Sequence, residues 1–575
     1  MKEKIYLGIS LGFNSSAAVI SDQRGLLSAI SQERLNGEKN TKKLPIDAIF
    51  ECLKVAKIKN IDQIAISHYE EIKNDYFKKY CEKNISHYFY DKNWNEAIIN
   101  ILKDNNINVK NTKIIRVEHH TAHALSGYAF YGIPTKDDYI ITSDGFGDGV
   151  SGRITKNSEV ISQIPLSGSI ALIYQFVTGA LGFKMHQHEG KITGLAAYGK
   201  PIYLDRFENL FDKVYGESLY FRDKDYMLDA FEAEQVVNSA IIDFDKFLLM
   251  KKTVFELVEN ILKEGGNRED IAATVQEFSE KWILKWIKFN CNKSNANCYL
   301  AGGLFANVKI NQKVKETGLF KNVFVCPAMG DEGTAVGAAV SICKNFIPEK
   351  KILPTTLAGN TINGNILQYV RNYLCSHFVE NDYNVSVIEN DVENIISRKL
   401  SEDKIVCIVR GRMEFGPRAL CHRTIMYNCD KKETNDWLNK KLNRTEFMPF
   451  APVCCEEFGD DLFKNLEGGR DSAKLMTMTF DCTDEFKENY PAACHIDGTA
   501  RPQIVSKDED EFTWNILNEY YKLTNKKAMI NTSFNLHNWP IIATKEVALE
   551  SWLKSDTDCL LIENIFIEKI GGRNN

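Results

Sequence analysis

The chain has 575 residues, more than one hydrophobic core holds; at roughly 100–200 residues per domain it should form two to four domains. Hydrophobic content of 44% and charged content of 26% are those of a globular enzyme. A formal charge of −6 excludes a global basic field for holding nucleic acid. The 15 cysteines are odd in number and scattered without a C-x-x-C pair, which argues against a disulfide framework or zinc knuckle and for a reducing compartment.

The N-terminal MKEKIYLGISLGF could pass for a signal peptide, but Gly8, Ser10, Gly12 and Asn14 interrupt its apolar run. No stretch reaches about 18 apolar residues, so a cytoplasmic protein with no membrane span is expected. Residues 4–10 and 16–21 read as strands joined by Gly12-Phe13-Asn14-Ser15. Asn14 in that turn could leave backbone N–H groups facing a phosphate; a plain hairpin is the competing reading. ISQERLNGEKNTKKLP (residues 30–45) is a charged loop in which one lysine, Lys39 foremost, could reach into a site. A helix should follow from Ile46 to Ala56.

Lys113–Val117 reads as a strand, followed by EHHTAHALSGYAFYG. His119 and His123 are four apart, which on a helix stacks both imidazoles on one face as a metal requires, with His120 pointing elsewhere. The strand Tyr139–Ser143 ends in Asp144-Gly145-Phe146-Gly147-Asp148-Gly149, either a presented carboxylate or a bare turn. His186 and His188, two apart, read as polar loop residues. Residues 204–265 carry no readable motif. Asn267 opens a helix with an apolar stripe from Ile271 to Phe289. The strand Cys298–Ala301 leads into Gly302-Gly303 and a helix start containing Asn307, a junction where backbone can approach a nucleotide. Val323–Cys326 leads to Asp331 and a helix rich in Gly and Ala. Strand-end carboxylates and glycine turns over repeated β/α units predict an α/β nucleotide-binding domain over residues 1–347. Residues 348–365, rich in Pro, Gly, Asn and Thr, read as the linker.

The second domain, residues 366–575, holds a strand at Lys404–Arg410 that runs into GRMEFGPRALCHR. Arg412, Arg418, His422 and Arg423 surround a Gly-Pro break with only Glu414 to offset them, so an anion site is expected; a solvated basic loop is the competing reading. Three more donor-rich loops follow: Arg444 in NRTEFMPFAPV, His495 and Arg501 in CHIDGTARPQIV, and Asn531 with Ser533 in AMINTSFNLHNWPII. Together they suit a triphosphate or acyl phosphate.

The ordered motifs SQERLNGEKN, HHTAHA, SDGFGDG, LGFKMHQHEGKITGLAAYGKP, LAGGLFANVKIN, GDEGTAVGAA, GRMEFGPRALCHR, RTEFMPFAPV, HIDGTAR and INTSFN resemble the carbamoyltransferase family of the nodulation-factor and antibiotic O-carbamoyltransferases, from about residue 5 to about residue 545. The resemblance implies an ASKHA-type first domain, like actin and sugar kinases, and a YrdC-like second domain. Carbamoyl phosphate and ATP, with Mg2+, would give carbamoyl adenylate in the second domain. The carbamoyl group would then pass to a hydroxyl or amine of a small-molecule, secondary-metabolite acceptor. It also implies a metal held by His119, His123, Asp144 and Asp331, with iron(II) first and manganese or zinc alternatives. Gly302, Gly303 and Asn307, with Asn14 and Lys39, would bind the nucleotide there. Arg418, Arg444, Arg501, Asn531 and Ser533 would clamp phosphate and carbamoyl, with Arg412, His422, Arg423 and His495 near them. Cys421-His422 replaces the usual Gly-Asn, Met448 the usual Arg, and Phe13-Asn14 the usual polar turn. An ASKHA-type kinase and a nucleotide-gated interaction module are the alternatives.

Overall fold

The computed structural model describes residues 2–67, 94–109, 112–215, 233–348, 351–377, 382–442 and 449–570. The chain packs as two units, residues 1–32 with 40–350 and residues 33–39 with 351–575. In the first unit, β1 (Ile5–Ser10), β2 (Ser16–Ser21) and β3 (Gly25–Ser31) form an antiparallel meander. β4 (Gln63–Ser67) and β5 (Lys113–Val117) extend it in parallel from β1. A second sheet repeats this plan. β6 (Tyr139–Gly147), β7 (Val150–Lys156) and β8 (Glu159–Pro165) form the meander, and β9 (Cys298–Ala301) and β10 (Val323–Val325) add in parallel from β6. The orders β3-β2-β1-β4-β5 and β8-β7-β6-β9-β10 are one topology used twice, the duplicated core of the actin and sugar-kinase type. Leu7, Ile9 and Ala17–Ile20 are fully buried, which is why these strands read as continuous apolar runs.

Two helices lock this unit together through glycine. A Cβ on Gly8 of β1 would stand 1.9 Å from the Ala335 carbonyl oxygen, and one on Gly337 would stand 1.7 Å from that of Ala122. The helix Thr334–Ile342 is therefore pressed between β1 and the helix His119–Ser126, at a separation only a missing Cβ permits. Residues 204–265, mute in sequence, contain the helices Leu204–Tyr215 and Ala233–Lys263. Asn267 caps the helix Arg268–Asn290 as expected, accepting from the Asp270 amide at 2.7 Å.

The second unit holds β11 (Tyr383–Val387), β12 (Val406–Val409), β13 (Arg423–Tyr427), β14 (Ala451–Cys455), β15 (Phe480–Asp481), β16 (Thr499–Ala500), β17 (Gln503–Val505), β18 (Ala528–Ser533), β19 (Cys559–Ile562) and β20 (Ile565–Lys569). Eight of them make one mixed sheet, β11-β20-β19-β12-β13-β18-β14-β17, while β15 and β16 pair separately. Val406, Ile408, Met426, Val453, Met529 and Leu561 pack with Ile396, Leu400, Ile516 and Tyr520 in its core.

Residues 351–365 are not a free linker. Ile352–Thr356 is helical with Leu353 buried. Gly359 donates to the Met413 carbonyl, Met413 to that of Asn360 and Phe415 to that of Thr356, all at 2.9 Å. The Pro/Gly/Asn composition signalled irregular backbone; the hydrogen bonds it makes build it into the second unit.

Candidate metal centre and anion-binding loops

His119 and His123 lie on one face of the helix His119–Ser126, as their spacing predicts. Glu118 caps this helix, its carboxylate accepting from the His120 and Thr121 amides, and Arg153 donates to the same carboxylate at 2.7 Å. Burial would raise the Glu118 pKa, but the Arg153 charge and the other partners bring it down to about 2, so the cap is a carboxylate at neutral pH. His120 does turn away, bonding Thr142 Oγ1 at 2.9 Å and the Val150 carbonyl at 3.0 Å, which pins the helix to β6 and β7. Asp148 accepts from the His119 amide at 2.7 Å. Gly147 leaves room for the His119 ring, whose Cδ2 would lie 2.0 Å from a Cβ there.

Asp144 does not end a strand in a bare turn: β6 runs on to Gly147, and the reversal falls at Asp148 and Gly149, both at positive φ. Asp331 stands at the start of the short turn leading into Thr334–Ile342. The close approach at Gly337 brings that turn against the histidine helix. His123 Nε2 is 3.0 Å from His119 Nε2, 3.0 Å from Asp144 Oδ2 and 3.4 Å from Asp331 Oδ1. His119 Nε2 is 3.3 Å from Asp144 Oδ2 and 3.6 Å from Asp331 Oδ1. A divalent ion about 2.0–2.2 Å from each donor sets neighbouring donors roughly 3.0–3.6 Å apart. Two nitrogens and two carboxylate oxygens therefore converge at the spacing of a shared cation, all within 4.8 Å of one another. The donor set fits a borderline divalent metal.

The electrostatics agree. Burial opposes charge on His123, but hydrogen bonds to Asp144 and Asp331 outweigh it and push its pKa up to about 9. Burial would also raise Asp144, yet its hydrogen bonds to both histidines hold it well below the usual carboxylate range. Asp331 is raised by burial and by the Asp144 charge. Two half-buried carboxylates facing one point favour positive charge there.

The other first-unit candidates divide. Gly302 (φ +102) and Gly303 press on the end of β6: their Cβ atoms would lie 2.2 Å from the Ser143 carbonyl oxygen and 2.8 Å from Asp144 Oδ1. Their absent side chains thus make room for a metal ligand. Asn307 is a correction to the nucleotide set: its side chain caps the helix Val308–Glu316 and donates to Gln276 Oε1 at 2.8 Å. Asn14 sits in the β1–β2 turn at positive φ. Lys39 is exposed in the segment that packs with the second unit, where its neighbour Arg34 donates to the Gly416 carbonyl at 2.7 Å.

In the second unit two of the expected arginines hold backbone. Arg423 is fully buried, and its guanidinium donates to the carbonyls of Arg410, His422, Asn360 and Gly411 at 2.6–3.2 Å. It is a structural staple, corrected from an anion ligand; burial pulls its pKa down to about 10. Arg412 donates to the carbonyls of Ala358 and Gly359. Glu414 shapes this loop: its Oε1 accepts from the Leu420, His422 and Arg423 amides at 2.7–3.1 Å and sets the loop's curve, while its charge favours the buried Arg423 guanidinium. His422 is buried beside Asp510, with its Nδ1 3.2 Å from the Arg410 carbonyl.

Asn531 is likewise committed. Its amide nitrogen donates to the Ala419 carbonyl at 3.0 Å and to Gln503 Oε1 at 2.5 Å, and its oxygen accepts from Thr424. This corrects it from ligand to buttress. The buttress gathers the remaining candidates: Arg418 adjoins Ala419, Arg501 lies two residues before Gln503, and Ser533 is two beyond Asn531 on β18. Ser533 Oγ donates to Asn535 at 2.6 Å. His495 is buried just before this group, its Nδ1 3.3 Å from Asp497. Arg444 and Met448 lie outside the described residues. Gln503 and Glu118 were missed in the sequence, and Glu414 was read there as a counter-charge rather than as the group that shapes the loop; only Glu118, an acid one residue before a helix start, carried a signal.

The carbamoyltransferase N-terminus model matches residues 5–340 and the carbamoyltransferase C-terminus model residues 397–569. The chain belongs to the carbamoyltransferase family. This family member is 29% identical over 578 residues to an uncharacterized protein of Methanocaldococcus jannaschii, covering 98% of this chain and 99% of the relative. It is 26% identical to the nodulation protein NolNO of Sinorhizobium fredii, over 97% of this chain and 79% of that one. Nodulation protein U of the same organism is 33% identical, over 49% of this chain and 48% of its own length. Among solved structures it is similar to full-length HypF in a phosphate- and nucleotide-bound form, at 13% identity and a TM-score of 0.29, covering 59% of this chain and 55% of the other. Among the described residues no helix is long and apolar enough to cross a membrane.

Proposed function

We propose that this protein is an ATP-dependent carbamoyltransferase working in two stages, with carbamoyl phosphate, ATP and a small-molecule acceptor as substrates. In the first, water takes the phosphoryl group of carbamoyl phosphate as its P–O bond breaks, releasing phosphate and carbamate; a carbamate oxygen then attacks ATP at its α-phosphorus and pyrophosphate leaves, giving carbamoyl adenylate; Arg418 and Arg501 hold the anionic oxygens. Guanidinium groups suit that task because their planar donors match phosphoryl oxygens and stay charged. In the second, an acceptor hydroxyl attacks the carbamoyl carbon, a new C–O bond forms, and AMP departs with the electron pair of the bond that breaks.

His119, His123, Asp144 and Asp331 would hold a divalent metal, iron(II) foremost. Once bound it would supply Lewis acidity at the carbamoyl and phosphoryl oxygens. The chain's own residues do the rest: Glu118 and Arg153 hold the helix that aims both imidazoles, and Gly302 and Gly303 let the β6 end approach. The convergence of these four side chains, within a chain matched by both carbamoyltransferase models, is the observation that carries this reading. A YrdC-like second unit and a secondary-metabolite acceptor belong to the same proposal. A kinase built on the duplicated core has no use for the imidazole pair.

The test is to mix the protein with ATP and carbamoyl phosphate. Pyrophosphate followed by AMP is expected. ADP formed without need of carbamoyl phosphate would replace this reading with the kinase.

A further inference from the structure

Two thiols meet beside the small β15–β16 sheet of the second unit, and the backbone brings them together. Asp481 of β15 pairs with Thr499 of β16, and the next residue, Cys482, donates its amide to the Gly498 carbonyl at 2.9 Å. The Thr499 carbonyl accepts from the His495 amide at 2.8 Å, and the Gly498 amide donates to the His495 carbonyl at 2.8 Å. Residues 494–499 therefore fold as a tight loop against the end of β15, with Gly498 at φ +77. This loop carries Cys494 onto Cys482, and the two thiols hydrogen-bond to each other.

The two positions differ in access. Cys482 is fully buried, whereas Cys494 is only half-buried and can be reached by a small solute. Their surroundings are charged. Lys487 Nζ would lie 3.7 Å from a Cβ on Gly498, and its charge favours the thiolate of both cysteines, with Asp497 opposing it. Donation from Cys482 holds the Cys494 thiol below its usual range against the effect of burial. The same contact, and then burial, holds Cys482 above it. Elsewhere in the chain burial acts with little opposition and pushes the thiols of Cys291, Cys326 and Cys455 up to about 12. An accessible thiolate with a second thiol in contact behind it is the arrangement of an attacking and a resolving cysteine.

A metal site is the other use for paired thiols. Among the described residues no third histidine, cysteine or carboxylate donor converges on this pair, as four donors do at His119, His123, Asp144 and Asp331. The sequence argues against a structural disulfide framework, and one reversible bond is not a framework.

We propose that Cys482 and Cys494 form a redox-modification site, at which a hydroperoxide converts the thiol pair to a reversible disulfide. The Cys494 thiolate attacks a peroxide oxygen; an S–O bond forms, the O–O bond breaks, and the leaving hydroxide takes a proton to become water. Cys482 then attacks the Cys494 sulfur; the S–S bond forms, the S–O bond breaks, and the thiol proton leaves with hydroxide as a second water. Two thiols have lost two electrons and the peroxide has gained them. The bond fastens the loop that precedes Arg501 to β15, close to the expected anion ligands. No step draws on the carbamoyltransferase reading.

The test is peroxide titration of the full-length protein, followed by alkylation and peptide mass mapping, with the exposed Cys375 as internal reference. A Cys482–Cys494 cross-link lighter by two hydrogens is expected, formed about tenfold faster than Cys375 is oxidised and undone by dithiothreitol. In Cys482→Ser, Cys494 should stop at the sulfenic acid and be trapped by dimedone; in Cys494→Ser, Cys482 should stay alkylatable. If both cysteines of folded wild-type protein remain fully alkylatable at a peroxide dose that oxidises Cys375, the assignment is overturned. Oxidation of Cys494 without the cross-link overturns it as well. The wild-type mapping needs no substrate and no variant, so neither a failure of the carbamoyltransferase reading nor a misfolded variant is confused with a failure of this site.

Discussion

Gly337 faces Ala122 so closely that a Cβ on the glycine would stand 1.7 Å from the alanine's carbonyl oxygen. That approach carries Asp331, six residues earlier, to the two imidazoles. Gly337→Ala must push the helices apart against backbone, not against a flexible side chain. A loss of about 1–3 kcal/mol in stability is expected, together with at least tenfold weaker metal binding. Denaturant titration and a metal-competition assay check both; wild-type values for both would remove the helix contact from the account of the site.

Removing one ligand should separate the two stages. His123→Ala and Asp331→Asn are expected to lose metal by about 100-fold or more, since even outer-shell partners of metal ligands cost 10–100-fold. Pyrophosphate release should persist in both, with carbamoyl transfer gone. Metal content by mass spectrometry and pyrophosphate by coupled assay read the two stages apart. Loss of pyrophosphate in a folded His123→Ala protein would contradict the division of labour.

Protonation of the cluster sets a pH dependence. The His123 pKa is raised in the folded state, to about 9, against about 6.5 unfolded. Its contribution to the metal-free protein is therefore fully present below about pH 6.5 and is lost as pH rises through 9. Metal binding has the opposite trend, because the ion displaces those protons and tightens as pH rises over the same window. Thermal melts of metal-stripped and metal-loaded protein from pH 6 to 9 should diverge. Parallel curves would show that His123 carries no such proton.

The arginines of the GRMEFGPRALCHR loop are expected to behave in opposite ways. Arg423→Met leaves four carbonyls without their donor in a fully buried place and should cost several kcal/mol, at about 1–3 kcal/mol per unsatisfied buried group. Arg418→Ala should melt near the wild-type temperature and abolish pyrophosphate release. Full activity in Arg418→Ala would refute its place in the adenylating site.

Local patterns were legible in the chain. The i, i+4 histidines, the Asn267 cap, the β1–β2 pair and the glycine after β9 each follow from preferences that act over a few residues, so the sequence shows them directly. The metal quartet became visible only through a family resemblance, because Asp331 is far from His119 in the chain and no local rule joins them. Tertiary structure alone decided which polar residues are committed to the protein's own hydrogen bonds. Arg423 carries the same guanidinium as Arg418, and Asn531 and Asn307 are as polar as Ser533, so composition cannot tell which are committed to the protein. What separates them is burial beside unpaired carbonyls and amides, where a side-chain hydrogen bond is required and none is left for substrate.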